Sequence, residues 1–333
     1  MVKDVFGYGG IDTFTAFLES ENFFVATGSR SNYAATRLSL PSSLNMQLLD
    51  SPKNAKKFDL MFEDHAVKDV LKAYGYTYLH FGSNSFTYYN RYADKNFNVG
   101  TLSPYQQSLW RRSLLFPLTT FGSRYISYDF FANLGGFDPR QEEWERVHFQ
   151  LDTLQDISSE YEEPLFVFAH FNPPKGNVFD TEGNLLPETE VSKKYPAELY
   201  VEQMSFIHQE MEKLITSLKN SSDPQPIIII QGDHGYKFIA DPDLNDPAVL
   251  TELIPETISV AELLVSEDAY SFPIFNAYYF PDIDDTGLYS DISPVNSFRL
   301  LFNTYFNEDF ELLEDKSYVP DPDNGTTFVP FDS

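Results

Sequence analysis

Two hydrophobic patterns alternate along the second half of the chain. Residues 164–170 (PLFVFAH) and 226–231 (PIIIIQ) are short, almost continuous apolar runs, the signature of strands buried on both faces. Between them, residues 197–219 carry Val201, Met204, Ile207, Met211, Leu214, Ile215 and Leu218 at helical spacing. Residues 220–226 are rich in breakers and predict a loop. Strand, helix, strand, with polar motifs just after each strand, predicts an α/β fold with a mostly parallel sheet flanked by helices. In such sheets ligands sit outside the carboxyl ends of the strands.

Upstream, the spacing predicts helices over residues 13–19, 38–49 and 63–73 and strands over 23–26 and 77–81, the last entered through Gly75. Residues 292–306 predict a further helix, with Pro294 tolerated in its first turn. From residue 319 the chain is rich in Pro, Asp and Gly and reads as an extended tail, so residues 1–318 form one domain and 319–333 a terminal segment. No internal repeat interrupts this pattern.

Composition narrows the function. The formal charge of −27 repels polyanions and argues against nucleic-acid binding. With 31 Phe and 21 Tyr among 333 residues there is ample aromatic area for a large core. The absence of cysteine excludes disulfides, zinc–thiolate sites and a cysteine nucleophile. No apolar run reaches the ~20 residues of a membrane span, and the first residues lack a signal-peptide layout, so the chain reads as soluble as given.

Four groups of residues carry candidate chemistry. Asp233 and His234 follow the 226–231 strand, bracketed by Gly232 and Gly235, which loosen the backbone for a turn. At a strand end a carboxylate and an imidazole can converge on a divalent ion, a donor pair better suited to Zn²⁺ or Mn²⁺ than to Ca²⁺. The competing reading is a polar turn. Thr36 stands beside a predicted helix start, where free N–H groups favour an anionic phosphoryl or sulfuryl group, and it is either a nucleophile or a helix cap. His170 ends the 164–170 strand and is either a site residue or a packed one. Arg91 can fork onto an oxyanion or stand exposed.

In this order Thr36, Arg91, His170 and Asp233-His234 resemble the sulfatase-like branch of the alkaline phosphatase superfamily, which includes lipoteichoic acid synthases and phosphoethanolamine transferases. Thr36 is followed by Ser39 and by Ser43-Leu44-Asn45, and Tyr89-Asn90-Arg91 resembles a substrate-contacting aromatic-Asn-Arg triplet. The stretch Ser31 to Met46, together with Asn276-Ala277-Tyr278-Tyr279 and Ser293-Pro294-Val295-Asn296-Ser297-Phe298-Arg299, resembles bacterial membrane-anchored proteins with a sulfatase-like domain.

The resemblance implies a metal-dependent hydrolase or transferase acting on phosphate or sulfate esters, some of them lipid-linked. Thr36 is its expected nucleophile and a metal contact, with Asp233 and His234 as ligands of a Zn, Mn or Mg ion and Arg91, Tyr89 and His170 contacting substrate. It also implies an extracytoplasmic location and a membrane-anchor region in the parent protein. Two departures stand out. Such domains begin with a strand ending in an acidic metal ligand, and this chain resembles sequence just after it, so that strand and ligand are expected to be missing and activity impaired. The loop after His170 reads Asn172-Pro173-Pro174-Lys175, where relatives carry a further histidine. The alternative expectation is therefore a catalytically silent binding or structural module.

Overall fold

The computed structural model describes residues 6–53, 55–83, 86–99, 139–175, 178–194, 196–236 and 270–331. Its helices, in chain order, are α1 (Gly10–Ser20), α2 (Thr36–Asn45), α3 (Ala55–Glu63), α4 (Ala66–Ala73), α5 (Pro139–Gln155), α6 (Glu188–Val191), α7 (Pro196–Ser221) and α8 (Pro294–Phe306). The strands are β1 (Phe24–Val25), β2 (Thr77–Phe81), β3 (Lys95–Asn96), β4 (Leu165–Ala169), β5 (Ile228–Gln231), β6 (Asn276–Tyr279), β7 (Tyr318–Pro320) and β8 (Phe328–Pro330).

The architecture is α/β. β3, β2 and β4 form a parallel sheet in that order, with Thr77 opposite Leu165 and Phe81 opposite Ala169. α5 lies in the long crossover that a parallel β2–β4 pair requires. β1, β6 and β5 form a second sheet that is antiparallel, with Ile228 opposite Tyr279 and Gln231 opposite Asn276. β6 was not predicted as a strand: NAYY is short and not uniformly apolar, and its burial comes from its neighbours. Among the described residues β4 pairs only with β2 and β5 only with β6.

The period of two along each strand sorts the core into two layers. Tyr278 of β6 packs with Val67 and Leu71 of α4 and Leu300, Leu301 and Phe302 of α8, joined by partly buried Phe166 of β4 and Ile229 of β5. On the other side, Leu79 and Phe81 of β2 meet Leu154 of α5 and Leu214 of α7, while Ala277 and Tyr279 meet Phe14, Leu18 and Ile215. Met211 of α7 packs against both groups, so one helix covers parts of both sheets. β2 is buried from Tyr78 to Phe81 and β6 throughout, yet every residue of β4 and β5 is only half-buried. Among the described residues each of these two apolar strands stands at one edge of its sheet.

The helix predicted over 63–73 is α4, shortened at its start: Glu63 is the last residue of the separate helix α3, and the polar break at Asp64-His65 ends α3 and caps α4. The His65 ring accepts from the Lys68 N–H at 3.1 Å. α8 begins at Pro294, which supplies its first turn as expected. The segment from Tyr318 forms the β7–β8 hairpin, and Tyr318 and Phe328 pack their rings on Tyr33.

Candidate metal and anion site

The site is assembled where β4 and β5 end. β5 runs into Asp233 through Gly232, whose N–H donates to Phe275 O at 2.8 Å. The Asp233 carboxylate accepts from the His234 N–H at 2.9 Å, closing the turn. His234 Nδ1 lies 2.7 Å from Gly235 O. A carbonyl only accepts, so Nδ1 carries the ring proton and the lone pair is on Nε2. Nε2 stands 3.6 Å from Asp233 Oδ2. Two ligand atoms on one tetrahedral zinc sit about 3.4 Å apart, given bonds of ~2.0–2.1 Å, so these donors fit a shared ion. The carbonyl behind Nδ1 holds the ring as outer-shell partners of metal-bound histidines do. No further His, Cys, Asp or Glu completes a group of three among the described residues.

The glycines serve a purpose other than the one the sequence suggested. Neither adopts a positive φ; Gly235 is needed because a Cβ there would lie 2.1 Å from Tyr270 O. The turn is squeezed against the segment leading into β6.

Thr36 is the first residue of α2. The N-cap is Ala35, extended at φ −152° and ψ 137°, with no side-chain cap bond. Thr36 is thus not the cap, and its hydroxyl stands near enough to Asp233 to favour the ionised carboxylate. Burial works to raise the Asp233 pKa, but His234, His170, the Thr36 hydroxyl and Lys175 outweigh it and hold the carboxyl below its ordinary range. His170 sits one residue beyond β4, its N–H donating to Phe81 O at 2.9 Å. Its Nδ1 lies 2.7 Å from Ser83 Oγ and 2.9 Å from Thr87 Oγ1. Burial lowers its pKa, Asp233 opposes that, and Lys175 and His234 add to it, which favours the neutral ring.

Thr36, His170, Asp233 and His234 therefore share one site. Arg91 and Tyr89 are placed differently. Arg91 is ion-paired with Glu63 on the surface, and Tyr89 is 53% exposed. Sequence reasoning missed the part played by Lys175, whose Nζ lies 3.0 Å from His234 Nε2, and by Ser83 and Thr87, which orient His170. The only signal for Lys175 was its place in the loop after β4.

The two long motifs at residues 31–46 and 293–299 meet in space. Asn32 Nδ2 donates to Ser293 Oγ at 3.1 Å and its Oδ1 accepts from the Val295 N–H at 3.0 Å. Ser43 Oγ donates to Pro294 O at 3.0 Å, and Arg299 Nε to Met46 O at 2.9 Å. Gln231, at the end of β5, accepts from Ser297 Oγ at 2.7 Å and donates to Ser43 Oγ at 3.3 Å. This polar clasp fixes the segment before α2 and the last turn of α2 against α8, and Ser43 ties that last turn to the end of β5.

The same chain path occurs in solved structures. The C-terminal periplasmic domain of EptC from Escherichia coli, in complex with Zn, superposes with a TM-score of 0.55 over 97% of this chain and 87% of its own, at 12% identity. The C-terminal periplasmic domain of the phosphoethanolamine transferase EptC from Campylobacter jejuni gives 0.52 over 94% and 87%, at 15% identity. This chain has the alkaline phosphatase-like fold of those domains. The soluble domain of lipooligosaccharide phosphoethanolamine transferase A from Neisseria meningitidis gives 0.50 over 91% and 83%, at 14% identity. No protein-family model matches the sequence, and no curated protein matches it. Among the described residues no helix is long and apolar enough to cross a membrane.

Proposed function

We propose that the protein is a metal-dependent enzyme acting on phosphate or sulfate esters, phosphate esters foremost, with Thr36 as nucleophile. The observation that carries this reading is the placement of Thr36, at the N-terminus of α2, close to the Asp233 carboxylate and to His234 and His170. Asp233 and His234 would hold the divalent ion, with Thr36 beside them, and the ion would supply Lewis-acid charge to the ester and the attacking oxygen. Asp233, held ionised, would accept a hydrogen bond from the Thr36 hydroxyl and leave its lone pairs facing outward. The first N–H groups of α2 face an anionic ester oxygen arriving at Thr36. When Ser83 or Thr87 donates to His170 Nδ1, the ring proton sits on Nε2 and stabilises a second oxygen. Attack of the Thr36 oxygen on the ester would break the ester's bond to its alcohol, which leaves with a proton, and water or an acceptor alcohol then releases the group from Thr36 and restores its hydroxyl.

Threonine in place of a modifiable cysteine favours phosphate over sulfate. The lipooligosaccharide transferase among the similar structures supports a lipid-linked substrate, and the periplasmic EptC domains support an extracytoplasmic setting. For Arg91 to contact substrate it must leave Glu63, and Tyr89 would join it. The rival reading, a silent module, is favoured by one observation: only two strong ligand residues converge among the described residues.

Turnover of p-nitrophenyl phosphate and bis-p-nitrophenyl phosphate with added Zn²⁺ or Mn²⁺ separates the two. Removal of the metal by a chelator should abolish turnover, and Thr36→Ala should lower it by about 10³-fold or more. Activity unchanged by Thr36→Ala refutes the nucleophile; binding of a phosphoester indifferent to chelator with no turnover supports the silent module.

A further inference from the structure

Lys175 is held beside the candidate metal ligands by more than chance. It lies in the loop that leaves β4, where its own N–H donates to Asn172 O at 3.2 Å. The fully buried Gln203 of α7 clamps the loop, its amide donating to Pro174 O at 2.9 Å and accepting from the Val178 N–H at 3.1 Å. Pro173 is buried beneath it. The backbone at Lys175 is therefore fixed on both sides, and its side chain reaches His234, with Nζ 3.0 Å from Nε2.

Nε2 has a single lone pair, because Nδ1 is committed to Gly235 O. That lone pair accepts an N–H from the ammonium or binds a metal ion, but not both. We infer that Lys175 is a built-in competitor for the divalent ion: its ammonium occupies the His234 donor position, and ion binding requires it to withdraw. This inference rests on the metal reading of Asp233 and His234. It makes metal occupancy conditional on a movement of one exposed side chain.

Zn²⁺ titration of the full chain by calorimetry tests this without any turnover measurement. Lys175→Met keeps the apolar stem and removes the charge, and should bind Zn²⁺ about tenfold or more tightly than the parent chain, or about 1.4 kcal/mol. Lys175→Gln should change the affinity in the same direction, and Lys175→Arg should stay near the parent value. The gain should persist in about 1 M NaCl, where the Debye length of about 3 Å removes long-range field effects but not a direct contact. Equal or weaker binding by both neutral variants, or a gain that vanishes in high salt, overturns the competition while leaving the metal site standing. Zn²⁺ affinity unaltered in Asp233→Asn, or no Zn²⁺ binding by any form, overturns the metal reading itself and this inference with it.

Discussion

Three buried histidines make the fold sensitive to mild acid. Burial pushes the His65 pKa down to about 3, aided by Lys68 and His80. Burial also takes His80 and His208 down to about 4, with the Thr87 carbonyl opposing it at His80 and His170 adding to it. In the unfolded chain each titrates near ~6.5. Between that value and the folded pKa the unfolded state binds a proton that the native state refuses, so stability rises with pH and is lost as pH falls through this window. At pH 5 each unfolded histidine is almost fully protonated while its folded counterpart is largely neutral. The difference is about 2 kcal/mol per histidine relative to pH 7, or about 6 kcal/mol for the three. That is a large share of the ~5–15 kcal/mol typical of a domain. Urea unfolding followed by circular dichroism at both pH values measures it, and His208→Gln should shrink the loss by about 2 kcal/mol, which separates the histidines from the many carboxylates. A free energy of unfolding at pH 5 within about 1 kcal/mol of that at pH 7 would refute the argument.

Gly235→Ala should destabilise the protein by about 1–3 kcal/mol, because a Cβ would collide with Tyr270 O, and it should weaken Zn²⁺ binding by displacing the Asp233-His234 turn; an unchanged melting temperature counts against this. Tyr278→Phe should cost about 1–3 kcal/mol in urea unfolding, since the buried Tyr278 hydroxyl lies 2.7 Å from Asn276 Nδ2 and 2.8 Å from Ser297 Oγ. A neutral Tyr278→Phe would show that neighbouring groups compensate.

The local elements were legible wherever apolar period and chain punctuation agreed. Residues 77–81, 164–170 and 226–231 read as strands because β-branched and aromatic runs need burial on both faces, and β2, β4 and β5 lie within those ranges. The 197–219 spacing located α7, and Pro294 marked the start of α8. Asp233, His234, His170 and Thr36 were recognisable as candidates because strand ends and helix starts are where polar side chains escape the core. β6 was not legible, since NAYY becomes a buried strand only between β1 and β5.

What the chain order could not reveal was convergence. The polar clasp of Asn32, Ser43, Gln231, Ser297 and Arg299 joins α2, α8 and the end of β5, segments that lie far apart in sequence. That Thr36 is not the helix cap was likewise a matter of the folded backbone, since Ala35 holds that position. Arg91 stands in the order the sequence suggested yet pairs with Glu63, because a surface cation takes whichever carboxylate the packing presents. Lys175 was an unremarkable loop residue until Gln203 fixed its backbone beside His234. Periodicity encodes which face of an element is buried; which buried faces meet, and so which polar ends share a site, is a property of the packed whole.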